Sequence, residues 1–219
     1  MPGNKFKWNS YDDDNLVAAF DMSSRTPGGL MKNLAKTGAV YDGTINGVFT
    51  PANPLIKAKR TPCMDFISAN SNYISIVNPV TGMTQCTIVA WINQDIVTKC
   101  IFSSAGAWGT YIFIEAGPEP YLYILNPVSF IRAGRRKPLN TTFMLAVTRE
   151  TTGIGRMFID GNQVAVGALD ACNVAANAFI GRVWDGSFRY DGRLDNMLFY
   201  NVALTPTQIQ SIWRSANPR

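Results

Sequence analysis

The chain has 219 residues, 47% of them hydrophobic and only 16% charged, a composition that can bury a sizeable core and excludes disorder over most of its length. Its 20 basic and 15 acidic residues leave a net charge of +5 without any long basic run, so nucleic-acid binding, which needs a concentrated basic footprint, is set aside. No histidine occurs, which removes the commonest general base, the usual catalytic triad and most zinc sites.

The first stretch, Met1–Asp14, contains no apolar run and reads as a flexible N-terminal arm without the features of a signal peptide. Residues 15–219 then read as a single domain of short strands separated by turn residues. LVAAF at Leu16–Phe20 is the first strand, followed by a polar, glycine-rich segment through Ser23, Ser24, Pro27, Gly28 and Gly29. Asp42-Gly43 punctuates a strand candidate at Gly43–Phe49, and residues 51–62 read as a loop. Strands are expected at Met64–Ile67 and Tyr73–Val77.

The middle of the chain alternates most clearly. In Thr87–Ile92, Ile88, Ala90 and Ile92 share one face while Val89 and Trp91 share the other. In the same way Ile112 and Ile114 oppose Tyr111 and Phe113, and Leu122 and Ile124 oppose Tyr121 and Tyr123. Because strand side chains alternate with period two, each segment presents one aliphatic and one aromatic face. The aliphatic face belongs between two sheets. The aromatic face is a candidate surface.

Further strands are expected at Ser129–Arg132, Thr142–Arg149 and Gly155–Asp160, the last joined to QVAVG by the Asp160-Gly161 hairpin signal. Ala178–Arg182 and Arg193–Tyr200 complete an all-β pattern. One helix is specified by a capping box, with Thr205 as cap, Pro206 at the first helical position and Gln208 at the third, and by the Leu204–Ile209 staple. About two turns long, ending near Trp213 or Arg214, it must dock through Ile209, Ile212 and Trp213 to persist. No run of about 18 apolar residues exists, so no membrane insertion is expected. Cys63, Cys86, Cys100 and Cys172 lack metal-type spacing and read as buried thiols or as up to two disulfides, Cys86 and Cys100 being close enough in sequence to staple adjacent strands.

An ordered series of segments resembles the laminin-G-like, concanavalin A-like jelly-roll family, in its phage or bacterial branch. The series runs LVAAFD, YDGTI, MDFISANSNYISI, TIVAWI, LAVTRE, RMFIDGNQV, FIGR and, most specifically, GRLDNMLFYNVALTPTQIQSIW from Gly192 to Trp213. The resemblance implies two packed antiparallel sheets with a short C-terminal helix. It also implies a structural calcium ion held by Asp21 and Asp195, with Asn33 as a helper, provided that the terminal strands pair.

Functionally, Trp91, Tyr111, Phe113, Tyr121 and Tyr123, joined by Arg149, could line a face on which sugar rings stack, or could equally cover a sheet or form a protein interface. The turn-rich segments add Trp108, Asn126, Arg132, Trp184, Asp185 and Tyr190. No paired-carboxylate motif of a glycosidase is present, and Glu115 and Glu119 are the acids nearest the aromatic stripe. The expected function is therefore a non-catalytic carbohydrate-binding or adhesive domain, outside the cell or at a cell surface. The alternative is a virion structural protein that uses the same face in a homo-oligomer or particle assembly.

Overall fold

The computed structural model describes residues 7–25, 29–96, 99–106, 110–114, 121–126, 129–133, 138–172 and 174–218, with only the backbone of 25, 113–114 and 121–126. Among these, sixteen strands precede one α-helix. They are β1 (Leu16–Arg25), β2 (Leu30–Asn33), β3 (Gly43–Asn46), β4 (Thr50–Ala52), β5 (Cys63–Phe66), β6 (Tyr73–Val77), β7 (Cys86–Gln94) and β8 (Lys99–Ser104). There follow β9 (Tyr111–Ile114), β10 (Tyr121–Asn126), β11 (Ser129–Arg132), β12 (Thr142–Arg149), β13 (Ile154–Ile159), β14 (Asn162–Ala168), β15 (Asn177–Ile180), β16 (Gly192–Tyr200) and α1 (Pro206–Ala216).

The strands form a jelly-roll sandwich. The front layer runs β14-β13-β12-β7-β16-β1, with β5 and then β4 continuing outward from the N-terminal end of β16. The back layer runs β2-β3-β6-β15-β8-β9, while β10 and β11 pair separately. β1 joins the layers: its first half pairs with β16 and its far end with β2.

Between the layers lie the aliphatic halves of the alternating strands. Ile88, Ala90 and Ile92 from β7, Leu145 and Val147 from β12, and Met197 and Phe199 from β16 meet Ile74, Ile76, Phe102, Ile112, Ala178 and Ile180 from the back. Burial at this density is the dominant stabilising term of the fold. The inward half of the expected alternation thus holds for β7 and for Ile112.

The outer half of β7 does not face solvent. Val89 and Trp91 join Met144, Ala146, Phe158, Leu198 and Tyr200 in a second apolar cluster that α1 covers with Ile209, Ile212 and Ala216. The helix is capped as its sequence dictates: the Gln208 amide donates to Thr205 Oγ1 at 3.3 Å, and the Thr205 amide donates to Gln208 Oε1 at 2.7 Å. It runs to Ala216, two or three residues beyond the expected end, because Ala216 is itself buried in this cluster. The β13–β14 turn passes directly beneath it. Asp160 and Gly161 both have positive φ, 52° and 78°, and a Cβ on Gly161 would stand 3.2 Å from Gln210 Cα.

Residues 7–14 are not a loose arm. Trp8 and Tyr11 pack against the second cluster, the Trp8 amide donates to Ser215 Oγ at 3.1 Å, and Asn196 Nδ2 donates to Tyr11 Oη at 3.1 Å. Apolar rings amid the charges tie the segment down. β8 was hidden from the alternation reading because the register shifts between Cys100 and Phe102, turning both Ile101 and Phe102 into the inter-sheet core. The four cysteines are free and buried. Cys86 lies against Cys172, Sγ to Sγ 3.4 Å, whereas Cys100 packs with Tyr111 and Val183, so no Cys86–Cys100 staple forms.

Candidate functional site: a polar cleft beyond the helix

The helix covers only part of the front layer's outer face. Past its edge, cross-strand register lines up one residue from each of five strands: Thr142 opposite Asn93, Asn93 opposite Arg193, Arg193 opposite Asp65, and Asp65 opposite Thr50. Directly opposed residues in antiparallel strands project to the same side, so β12, β7, β16, β5 and β4 present a continuous polar row. Part of this row opens into a cleft of about 650 Å³ lined by Pro51, Ala52, Asn53, Pro62, Asp65, Asp95, Asn140 and Arg193.

The cleft's walls are held from behind. The Tyr190 hydroxyl lies 3.2 Å from the Asn93 carbonyl and 3.3 Å from that of Arg193. Gly192 permits the close approach of β16 to β7, since its φ is 133° and any Cβ would collide with the Asn93 carbonyl. The Asn140 amide donates to the Gln94 carbonyl at 2.9 Å, and the Asp95 amide to the Asp191 carbonyl at 3.1 Å. Asp191 in turn accepts from the amide and hydroxyl of Ser68 at 3.0 and 2.5 Å.

Electrostatically the cleft is mixed. Burial pushes the Asp65 carboxyl above the usual carboxylate range, Asp95 and Asp191 push it further, and Arg193 pulls it back. Within the row, Asn93 Nδ2 donates to Thr142 Oγ1 at 3.1 Å, while its buried Oδ1 finds no hydrogen-bond donor among the described residues. Carboxylates, amides and one guanidinium alternate over a few strand spacings, which suits a ligand that both donates and accepts hydrogen bonds.

A second charged cluster lies on the same layer. Asp21 and Asp195 do converge, because β1 pairs with β16 and places Asp21 opposite Asn196. The cation between them is the Lys59 ammonium. It donates to Asp21 Oδ1 at 2.7 Å, to Asp195 Oδ1, and to Asn196 Oδ1 at 3.2 Å, its side chain 2% exposed. The register shift between Leu194 and Met197 brings Asp195 and Asn196 together on this cation.

Asp195 Oδ2 accepts from the amides of Leu55 and Ile56 at 2.9 and 3.3 Å. Burial lifts its carboxyl above the ordinary value against the pull of Lys59 and these amides. These residues do not fit the expected calcium ion, which needs six to eight oxygens around a divalent charge, since an ammonium stands where it would sit. Asn33 is occupied elsewhere: its Oδ1 accepts from the amides of Ala19 and Ala35 and its Nδ2 donates to Thr37 and Gly38. Among the described residues no group of three His, Cys, Asp or Glu side chains could hold a metal.

The expected aromatic stripe is not one surface. Trp91 is 1% exposed, lies under α1 and cannot stack a sugar; the docking of the helix on that face is the physical reason. Tyr111 is buried on the back layer with Cys100 and Val183, its hydroxyl donating to the Gly106 carbonyl at 2.7 Å. Arg149 is also buried and is a structural clamp. Its Nε donates to the Leu169 and Asp170 carbonyls at 3.0 and 2.5 Å, and its Nη1 donates to the carbonyls of Thr84 and Glu150.

Tyr190 is buried behind the cleft, Arg132 lies 4.7 Å over the Phe130 ring, and Trp184 is 39% exposed in the segment that follows β15. Trp108, Glu115 and Glu119, and the side chains of Phe113, Tyr121, Tyr123 and Asn126, lie outside the described residues. Sequence reasoning missed Asp65, Asp95, Asn140 and Arg193. A visible signal was the charge inside otherwise apolar strands, Asp65 in CMDF and Arg193 in GRLDN.

A laminin-G-type family model described as the concanavalin A-like lectin/glucanases superfamily matches residues 68–210. No curated protein matches the chain. Among solved structures it is similar to domain 4 of an extracellular arabinanase from Geobacillus stearothermophilus, solved with arabinotriose, with TM-score 0.70 and 18% identity over 90% of this chain and 97% of that one. It is similar to the binding domain of Paraclostridial mosquitocidal protein 1, with TM-score 0.71 and 13% identity over 92% of this chain and 52% of that one. The binding domain of botulinum neurotoxin DC, solved in complex with SialylT, gives TM-score 0.69 and 11% identity over 94% and 52%. The chain thus spans about half the length of these two toxin domains. With the family model matched from β6's approach to the last helix, the chain belongs to the concanavalin A-like lectin/glucanases superfamily.

Proposed function

We propose that this chain is a non-catalytic carbohydrate-binding domain that seats an oligosaccharide in the cleft formed by β4, β5 and the adjoining ends of β7 and β16. The observation that carries this reading is the polar row with its overhanging Asn140, Asp95 and Asn53: donors and acceptors spaced by strand geometry on a rigid sheet. Carboxylates and amides take the paired hydroxyls of a sugar, Arg193 donates to ring or hydroxyl oxygens, and Pro51, Ala52 and Pro62 give an apolar wall. Hydrogen bonding, rather than the stacking expected of Trp91, is the mechanism here. The arabinanase domain solved with arabinotriose and the toxin domain solved with SialylT support a sugar as the ligand class. An open site of this kind binds weakly and gains from multivalency.

The test is a glycan array on multimerised protein, followed by calorimetry with the best neutral oligosaccharide on wild type, Asp65→Asn and Arg193→Ala. Each variant should weaken binding about tenfold or more, about 1.4 kcal/mol, with an unchanged circular dichroism spectrum. Array signals equal to those of an unrelated soluble protein, alongside a defined oligomer in light scattering, would favour an assembly role instead. Turnover of the bound sugar, lost in Asp65→Asn, would replace binding with catalysis.

A further inference from the structure

The outer face of the back layer carries a constellation that the cleft does not use. Register aligns Thr44, Ser75, Phe179, Ser103 and Tyr111 across β3, β6, β15, β8 and β9, with Tyr73 next along β6. Ile74, Ile76, Ala178 and Ile180 point into the core, so Tyr73 and Phe179 point outward, edge to face with centroids 6.2 Å apart. Across both rings lies the guanidinium of Arg182, 3.7 Å from the Tyr73 centroid and 4.4 Å from that of Phe179. Its carbonyl is pinned by the Ser103 hydroxyl at 2.9 Å.

This cation is held in place on the rings, and the neighbouring Asp185 carboxylate attracts it without a direct ion pair. Its Nε is buried without a hydrogen-bond partner, and no ion pair links it to a described residue. The adjacent acid, Asp185, closes its own turn, accepting from the Ser187 amide and hydroxyl at 2.9 and 2.6 Å. Gly186 lies alongside the guanidinium, where a Cβ would stand 3.6 Å from Nη1, in ordinary van der Waals contact. On the same loop Trp184 and Phe188 are 39% and 49% exposed.

A guanidinium stacked on rings keeps its in-plane N–H edge for a ligand, and that planar fork matches a carboxylate with two parallel hydrogen bonds. Because the rings already fix its orientation, little rotamer freedom is lost on binding. We infer that this face is a second site, one that takes a sugar residue bearing a carboxylate, with Arg182 on the acid and Trp184 offering an apolar surface to the ring. The choice of a sugar rests on the carbohydrate-binding reading above; the choice of an acid rests on Arg182 alone.

The experiment is calorimetry of the full chain with a glucuronate-terminated disaccharide, its neutral glucose-terminated counterpart and a sulfated counterpart. Wild type should bind the uronate about tenfold more tightly than the neutral sugar. Arg182→Gln should erase that preference. Arg182→Lys should not restore it, because a point charge lacks the fork.

Arg193→Ala should leave uronate affinity unchanged while weakening the neutral sugar, so that the ratio between them widens, which separates failure of this site from failure of the cleft. Equal binding of acid and neutral sugar by wild type, an unchanged preference in Arg182→Gln, or tighter binding of the sulfated sugar would overturn the assignment. Should Arg182→Gln fail to fold, Trp184→Ala, expected to weaken uronate binding at least threefold with the spectrum preserved, takes its place, and no change there would overturn it as well.

Discussion

Two clusters on the front layer are built from the same parts, one cation and two carboxylates, and serve opposite ends. Around Lys59 every charge is spent: the ammonium has three oxygen acceptors, and Asp195 has two amides besides. Around Arg193, Asp65 and Asp95 face a cleft, and their hydrogen-bonding capacity is left for whatever enters. Only a few strand positions separate the two along β16. A charge satisfied inside the protein holds structure, whereas the same charge left open to water is available for recognition.

The sharpest way to break this contrast is to remove Lys59. Lys59→Ala leaves Asp195 buried and unpaired and should cost about 3–5 kcal/mol in urea unfolding. Millimolar calcium should restore none of that loss in the variant and leave the melting temperature of the wild type unmoved. A wild-type protein that melts higher with calcium would show that the cluster is not self-sufficient.

A comparable effect is expected beneath the helix. Trp91→Ala should destabilise the fold by about 3–5 kcal/mol, as for a large ring removed from a core, while any protein still folded binds glycan as wild type does. Loss of binding without loss of stability would return Trp91 to the site. Thr205→Ala removes the cap that starts α1 and should cost about 1 kcal/mol, read as a lower urea midpoint at constant slope.

The smallest effect sharpens the comparison from the cleft side. The Asp65 carboxyl sits above its unfolded value. The stability it contributes is therefore full below the unfolded carboxylate pKa and is lost as pH rises through the raised one. Asp65→Asn should thus melt slightly higher than wild type at neutral pH, lose this part of the pH dependence, and bind sugar worse. A variant less stable at neutral pH would place Asp65 among the structural charges with Asp195.

Much of the fold was legible because its signals are local. Period-two alternation put Ile88, Ala90 and Ile92 inside, the Asp-Gly pair marked the β13–β14 hairpin, and Thr205, Pro206 and Gln208 announced the helix. β8 escaped because a register shift sends two consecutive residues, Ile101 and Phe102, the same way, which no alternation reading anticipates. The site was less legible. Asp65, Asp95, Asn140 and Arg193 are scattered through the sequence, each resembling an ordinary solvated charge or amide.

The chain's own pattern determined which side of each strand is apolar, because alternation is a property of a strand alone. Whether the opposite side meets water was decided only by tertiary structure. A helix from the far end of the sequence buried Trp91, and register across five strands gathered the cleft. It also decided which cation would meet Asp21 and Asp195, because a lysine from the segment between β4 and β5 reaches them only when β1 and β16 lie side by side. Covering and convergence depend on contacts distant in sequence, and no short window of residues contains them.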